Sequence, residues 1–161
     1  MDGNAAALVA ALKQQNLTIT TAESLTGGRI ASAITAVPGS SAVFPGGVVS
    51  YCDRIKHQVL GVPAEDLERF GAVSEPVAKA MAKGAAALMG TDLALSATGI
   101  AGPDGDGSEN PVGTVYLGLY DRGEVLCERH IFSGDRGEVQ RQSVERAIAW
   151  AVEVLGEGEP L

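Results

Sequence analysis

The amino-acid sequence predicts an α/β domain with a mixed β-sheet, on three observations. Apolar runs of β type alternate with helical patterns, and this alternation is typical of strand–helix–strand units. Residues 92–98 are almost entirely apolar, as expected for a central strand that is covered on both faces. Two further β-type runs flank Asp121-Arg122-Gly123, a hairpin signal that adds antiparallel pairing to the sheet.

The first half of the chain alternates helices with strands. Leu8, Val9 and Leu12 share one face of a predicted helix over residues 5–15. The next elements follow from β-type runs, helical apolar spacing and breakers: a strand over 17–22, a helix over 27–36, a strand over 46–52 and a helix over 53–60.

The second half is predicted from a helix start and from the hairpin. Ser74-Glu75-Pro76 combines a capping residue, an acid in the first turn and a proline near the first helical position. The alanine-rich helix that follows has small side chains, which favour close packing on a sheet or on a partner subunit. In order, we predict a helix over 63–70, the alanine-rich helix over 74–89, strands over 92–98, 113–120 and 124–132, and a helix over 134–155 before a frayed tail.

The composition limits the class of protein. A chain of 161 residues is expected to form one domain over 1–161, with few aromatic side chains in its core. The net charge of −8 argues against nucleic acid and anionic membranes as partners, because both demand a basic face. Cys52 and Cys127 lie far apart, which favours a reducing compartment over a disulfide scaffold. The sequence has neither a secretory pattern nor a membrane-length apolar run, so we expect a cytoplasmic location.

Ser24 follows the first predicted strand and precedes a helix, next to Gly27 and Gly28. A hydroxyl at such a junction lies near the free N–H groups of a helix N-terminus, which suits a nucleophile and its oxyanion. The alternative is structural, because Ser24 or Thr26 would also serve as the N-cap of the helix.

A serine nucleophile needs a proton acceptor, and Tyr51 with Lys56 forms the best pair. Tyr51 ends the second predicted strand and Lys56 follows one turn later, in the region where α/β sites collect. A lysine acts as a base only when burial or a neighbouring cation lowers its pKa, and the alternative is an exposed surface lysine. Cys52 with His57 is a rival thiol pair.

The glycine-rich stretch over 98–107 is the second candidate for ligand binding. Its backbone N–H groups are suited to a phosphate, although it lacks the order of a Walker loop. Asp104 to Ser108 resembles the start of a calcium-binding loop, but Glu109 stands where that loop needs glycine, so we expect no metal. The alternative is a flexible surface turn.

Seven stretches, taken together and in this order, resemble the CinA C-terminal-domain family, and the resemblance extends from about Leu8 to Leu155. The matching stretches are Ala22-Glu23-Ser24-Leu25-Thr26-Gly27-Gly28, Pro38-Gly39-Ser40-Ser41, Tyr51 with Lys56, Leu60-Gly61-Val62, Gly71-Ala72-Val73-Ser74-Glu75, Thr98-Gly99-Ile100-Ala101-Gly102-Pro103 and Pro111-Val112-Gly113-Thr114-Val115. The chain departs from the family pattern at Cys52-Asp53 and at Asn110.

The resemblance implies a three-layer α/β/α sandwich with a mixed, mostly parallel sheet of about five strands, and a homodimer. It implies hydrolysis of nicotinamide mononucleotide to nicotinate mononucleotide and ammonia, with no cofactor and no metal. It implies Ser24 as nucleophile, with Lys56 and Tyr51 as activating partners. The alternative is a catalytically silent nucleotide-binding or protein-interaction domain of the same family. The substrate-binding residues that we expect are Thr26, Gly27, Gly28, Arg29, Thr98, Gly99, Ile100, Ala101, Gly102 and Arg136.

Overall fold

A computed structural model describes residues 3–157 and contains one five-stranded mixed sheet. The strands are β1 (Ile19–Glu23), β2 (Gly47–Val49), β3 (Leu93–Gly99), β4 (Thr114–Asp121) and β5 (Glu124–Ile131). Their order across the sheet is β2-β1-β3-β4-β5. β1 pairs in parallel with β2 and β3, whereas β4 pairs antiparallel with β3 and β5. The predicted mixed sheet is confirmed, and β4 alone among these strands runs in the opposite direction.

Six α-helices accompany the sheet in the described residues: α1 (Gly3–Gln15), α2 (Arg29–Thr35), α3 (Asp53–Gln58), α4 (Ala64–Phe70), α5 (Glu75–Met89) and α6 (Arg136–Glu157). Each corresponds to a predicted helix. A single 3₁₀ turn over Ser40–Ala42 was not predicted. The predicted frayed tail is helical at 156–157, and its remainder lies outside the described residues.

The helices cover both faces of the sheet, which gives the three-layer architecture that the family resemblance implies. One apolar cluster joins α1, α2 and α6 to β3 and β4, and a second joins α5 to β1 and β3. Leu93 and Leu95 of β3 belong to the first cluster, while Ala94 between them belongs to the second. The prediction that β3 is central and covered on both faces is therefore confirmed.

The alanine-rich helix α5 packs against the sheet at very short range. A Cβ atom added to Gly118 of β4 would lie 2.5 Å from the carbonyl oxygen of Ala78, so only glycine fits this contact. Ser74 occupies the N-cap position of α5, but its hydroxyl donates to the Gly71 carbonyl oxygen at 2.8 Å and makes no capping bond. The predicted serine cap is wrong in that respect.

The predicted strand over 46–52 is shorter in the structure, because the chain leaves the sheet after Val49. Ser50 remains bonded to β1, since its N–H and its hydroxyl donate to the Glu23 carbonyl oxygen at 2.7 Å and 3.3 Å. Tyr51 and Cys52 lie beyond the strand, so strand alternation does not determine where their side chains point.

Across residues 3–157, no helix has both the length and the apolar character that crossing a membrane requires.

Candidate active site

The candidate site lies where the carboxyl ends of the three parallel strands meet. The chain passes from β1 to β2 on one side and later enters β3 on the other side, and α/β proteins bind ligands at such switch points. A cavity of about 280 Å³ opens there. Its lining comes from the ends of β1, β2 and β3 and from the first turn of α6: Ser24, Leu25, Tyr51, Gly99, Ile100, Ala101, Gly102, Asp104, Gly105, Asp106 and Arg136.

Lys56 and Ser24 form the central contact of this site. The Lys56 Nζ atom lies 3.1 Å from Ser24 Oγ and donates a second hydrogen bond to the Ser50 carbonyl oxygen at 2.8 Å. Lys56 is 1% exposed, and burial lowers its pKa from the ordinary value of 10.5. The Asp53 carboxylate, 4.0 Å away, opposes this shift. A buried amine in contact with a serine hydroxyl has the geometry of a base and its nucleophile.

The turn that follows Ser24 presents unpaired N–H groups. Gly27 and Gly28 have positive φ angles of 56° and 98°, which fold the chain back before α2 begins. The Gly27 N–H donates to the Ser24 carbonyl oxygen at 3.0 Å. Within residues 3–157, the N–H groups of Leu25, Thr26 and Gly28 have no hydrogen-bond acceptor. Such donors beside a nucleophile are suited to a developing negative charge.

The cap of α2 comes from a residue that was not predicted. The buried Glu23 carboxylate accepts the Ile30 N–H at 2.8 Å and the Ala31 N–H at 3.0 Å. Gly28 occupies the N-cap position without a capping side chain, and the Thr26 hydroxyl is buried with no hydrogen-bond partner in the described structure. The expectation that Ser24 or Thr26 supplies the cap is therefore wrong.

Tyr51 is hydrogen-bonded to Arg136 and not to Ser24. Its hydroxyl accepts a hydrogen bond from Arg136 Nη2 at 3.1 Å, and its side chain is largely exposed at the cavity mouth. Arg136 Nη1 donates to the Gly102 carbonyl oxygen at 2.7 Å. The guanidinium group therefore joins the segment after β2 to the glycine-rich loop after β3.

Five of the ten expected substrate-binding residues do not line the cavity: Thr26, Gly27, Gly28, Arg29 and Thr98. The first three of these belong to the turn that follows Ser24. Arg29 lines a separate groove between α2 and α6, and its Nη1 atom donates to the Thr26 carbonyl oxygen at 3.0 Å. Thr98 is buried within β3, where its hydroxyl donates to the Ala72 carbonyl oxygen at 2.8 Å. Gly99 does line the cavity, and a Cβ there would lie 2.6 Å from the Thr114 carbonyl oxygen.

The rival thiol pair is not assembled in the structure. His57 Nδ1 is hydrogen-bonded to the Val62 carbonyl oxygen at 2.8 Å, while Cys52 is exposed. His130 lies on β5, at the opposite edge of the sheet from β2, and contacts Glu128 at 2.8 Å. Neither histidine lines the cavity that contains Ser24.

Several residues of the site have little or no sequence signal. Glu23 is a charged residue at the end of a β-type run that has no other charge, and that position alone suggests a paired buried acid. Gln140 donates from its Nε2 atom to the Leu25 carbonyl oxygen at 2.9 Å, although 115 positions separate the two residues. No local pattern reports a contact of that separation. Asp104 and Asp106 were considered only as metal ligands, whereas they line the cavity.

The fold and the site define a class: an α/β protein with a lysine–serine pair at the carboxyl edge of its parallel strands. The sequence profile described as the CinA C-terminal domain matches residues 2–155. This chain belongs to the CinA C-terminal domain family.

Solved structures and curated proteins agree with this assignment. A CinA superfamily protein from Klebsiella pneumoniae is 37% identical, with a TM-score of 0.93 over 96% of each chain. A competence/damage inducible protein from Agrobacterium tumefaciens is 38% identical, with a TM-score of 0.89 over 96% of each chain. A CinA-like protein from Parasynechococcus marenigrum is 49% identical over 149 residues, which are 91% of this chain and 36% of that protein. The chain thus spans about a third of the length of the curated relatives it matches.

Proposed function

We propose that this protein hydrolyses the carboxamide of nicotinamide mononucleotide, yielding nicotinate mononucleotide and ammonia. The observation that carries the proposal is the 3.1 Å contact between Lys56 Nζ and Ser24 Oγ, beside a cavity that Ser24 lines, together with the lowered pKa of the lysine. The family resemblance adds the substrate, because its enzymatic members act on this amide.

The first half of the reaction is acylation of Ser24. Neutral Lys56 accepts the hydroxyl proton through its lone pair, while one of its N–H groups stays bonded to the Ser50 carbonyl oxygen. Ser24 Oγ attacks the carboxamide carbon, and the carbonyl oxygen becomes an oxyanion. The unpaired N–H groups of Leu25, Thr26 and Gly28 are the nearest backbone donors along the chain. The Lys56 ammonium then returns the proton to the amide nitrogen, which leaves as ammonia.

The second half is hydrolysis of the ester on Ser24. Lys56 is neutral again and takes a proton from a water molecule, whose oxygen attacks the ester carbon. The C–Oγ bond breaks, Ser24 regains its proton from Lys56, and the nicotinate carboxyl group is released. One residue thus acts as base and acid in both halves, as microscopic reversibility requires.

The charges around the cavity favour a ligand with both signs of charge. Arg136 contributes a guanidinium group to the lining of the cavity, and Asp104 and Asp106 contribute carboxylates. Nicotinamide mononucleotide carries an anionic phosphate and a cationic pyridinium ring. We therefore assign the phosphate to Arg136 with Tyr51, and the cationic ring to the side of the two acids.

Ammonia release from nicotinamide mononucleotide tests the proposal directly. We expect turnover by the wild-type protein and a loss of at least about 10³-fold for Ser24→Ala, because that variant lacks the attacking oxygen. Lys56→Met should lose a comparable factor, because its thioether cannot accept the proton. Coupled detection of ammonia gives the rates, and circular dichroism checks that each variant is folded.

Cys52→Ala is the matched control, because it removes the rival nucleophile at the same edge of the sheet. It should retain wild-type turnover. If Cys52→Ala were inactive while Ser24→Ala remained active, the nucleophile would be the Cys52 thiol and not the Ser24 hydroxyl. Calorimetric binding of the nucleotide by the wild-type protein without ammonia release would contradict hydrolysis and favour a binding module.

A further inference from the structure

We infer that Gln140 is a positioning residue. It orients the peptide between Leu25 and Thr26, in the turn that follows Ser24, so that the N–H group of this peptide receives the oxyanion. The inference rests on the proposed acyl transfer at Ser24. It concerns a contact between α6 and the loop after β1, two segments that are distant in sequence.

Gln140 is buried in the groove between α2 and α6, with 8% of its surface exposed. Its side-chain amide donates to the Leu25 carbonyl oxygen at 2.9 Å. Leu25 is the residue directly after the proposed nucleophile, and it lines the cavity that contains Ser24. This hydrogen bond therefore links α6 to the turn that follows Ser24.

Because a peptide unit is planar, the hydrogen bond from Gln140 also fixes the direction of an N–H group. In a planar trans peptide, the C=O and N–H groups of one unit point in opposite directions. The Leu25 carbonyl belongs to the same peptide unit as the Thr26 N–H. Because Gln140 holds that carbonyl towards α6, the Thr26 N–H must point away from α6, and it has no acceptor in the described structure.

The neighbouring peptide shows why this one is singled out. The Thr26 carbonyl oxygen is also held, by the Arg29 guanidinium at 3.0 Å. The N–H group of that peptide belongs to Gly27, however, and it already donates to the Ser24 carbonyl oxygen. The peptide between Leu25 and Thr26 therefore combines a carbonyl held by a side chain with an unpaired N–H group.

Packing of α6 does not depend on this hydrogen bond. The helix is already fixed to the core by fully buried apolar residues on the same face, among them Val139, Ala147, Ile148 and Ala151. An apolar side chain of the same length would fill the position of Gln140. The Gln140 amide orients the peptide between Leu25 and Thr26. The proposed reaction requires this orientation, whereas the fold does not.

The test replaces Gln140 by Met, which keeps the length of the side chain and removes its donor. We expect kcat for ammonia release from nicotinamide mononucleotide to fall about 10- to 100-fold, while KM changes less than about twofold, because the oxyanion exists only after attack. Gln140→Leu is a second variant, since its apolar side chain also has no donor. The control is Gln142→Met, also on α6, which loses bonds to the Ser133 and Glu138 carbonyl oxygens.

A second readout separates this inference from the proposed function. A fluorophosphonate forms an oxyanion when it reacts with a serine, so mass spectrometry gives the rate of Ser24 labelling without the nucleotide. We expect slower labelling in Gln140→Met and Gln140→Leu, at unchanged thermal midpoints. Labelling of the wild type without ammonia release would contradict the proposed substrate alone. Equal labelling rates, or equal kcat, in the wild type and both Gln140 variants would overturn the role of Gln140.

Discussion

Lys56 is enclosed so fully that its amine has almost no contact with solvent. Desolvation disfavours the ammonium form and lowers its pKa, while the Asp53 carboxylate at 4.0 Å favours that form and raises it. Desolvation is the larger effect. The charge interaction with Cys52 raises the Lys56 pKa as well, so burial acts against two neighbouring groups. The larger of these two effects can be removed by substituting Asp53, which does not line the cavity.

The pH dependence of hydrolysis should report this balance. Catalysis requires neutral Lys56, so kcat/KM should rise with pH through its lowered pKa, at a midpoint below 10.5. Asp53→Asn removes a group that raises the pKa, so the acid limb of the profile should move to lower pH. A pH series of kcat/KM for the wild type, Asp53→Asn and the exposed control Glu65→Gln checks this. A limb that stays in place, or moves to higher pH, would contradict Lys56 as the base.

At the scale of single elements, α2 is held in place by an acid from the strand before it. The Glu23 carboxylate accepts two N–H groups from the first turn of this seven-residue helix, at 2.8 and 3.0 Å. A carboxylate is favoured there by the helix dipole as well as by the two bonds. The backbone carbonyl oxygen of Glu23 also accepts the Ser50 N–H. Glu23 therefore holds both α2, which follows Ser24, and the segment that follows β2.

Glu23→Gln should lower the free energy of unfolding by about 1–3 kcal/mol, because an amide offers one acceptor oxygen and turns its NH₂ group towards a second donor. Urea denaturation measures the change. The control is Glu138→Gln on α6, where an exposed carboxylate accepts a single N–H from Asp135 at 3.0 Å. Glutamine can keep that bond, so we expect a change below about 0.5 kcal/mol. Equal losses in the two variants would rule out a special contribution from the buried cap.

The sequence predicted the elements well because apolar periodicity is a local property. The predicted strand over 46–52 was too long, because the sequence after Val49 favours a strand although the chain already turns towards α3. Lys56 was proposed as the proton acceptor of Ser24 from its place after the second strand, and the family resemblance implied the same pair, although 32 positions separate the two residues. The Glu23 cap and the Gln140 contact were missed, because each depends on how elements pack and leaves no periodic pattern.

At the scale of the whole molecule, the sheet distributes protection unevenly. β3 lies in the centre with both faces buried, whereas β2 is a three-residue strand at one edge with Val49 52% exposed. The proposed nucleophile follows β1, which has a neighbour on each side, while the proposed base follows β2. Segments with few buried contacts and exposed backbone bonds open at a lower free-energy cost than the core.

Amide hydrogen exchange should resolve this difference. We expect the amides of β2 and of Ser50 to exchange at least about tenfold faster than those of β3, because they need only a local opening. Mass spectrometry of peptic fragments over a time course measures the rates, with β4 as an internal reference for a strand paired on both sides. Equal protection in β2 and β3 would show that the edge opens only when the whole sheet does.

The three-residue length of β2 has a consequence for how the protein fails on heating. Detachment of that strand would carry the Ser50 carbonyl and Lys56 away from Ser24, while the first apolar cluster stays closed and the second loses only the partly buried Val48. Thermal inactivation would then be a separate event from loss of the folded state, reversible on cooling and invisible to Trp150, the single tryptophan, which is buried in the cluster on the other face. We therefore expect the proposed activity to be lost on heating at a lower temperature than the one at which the core unfolds.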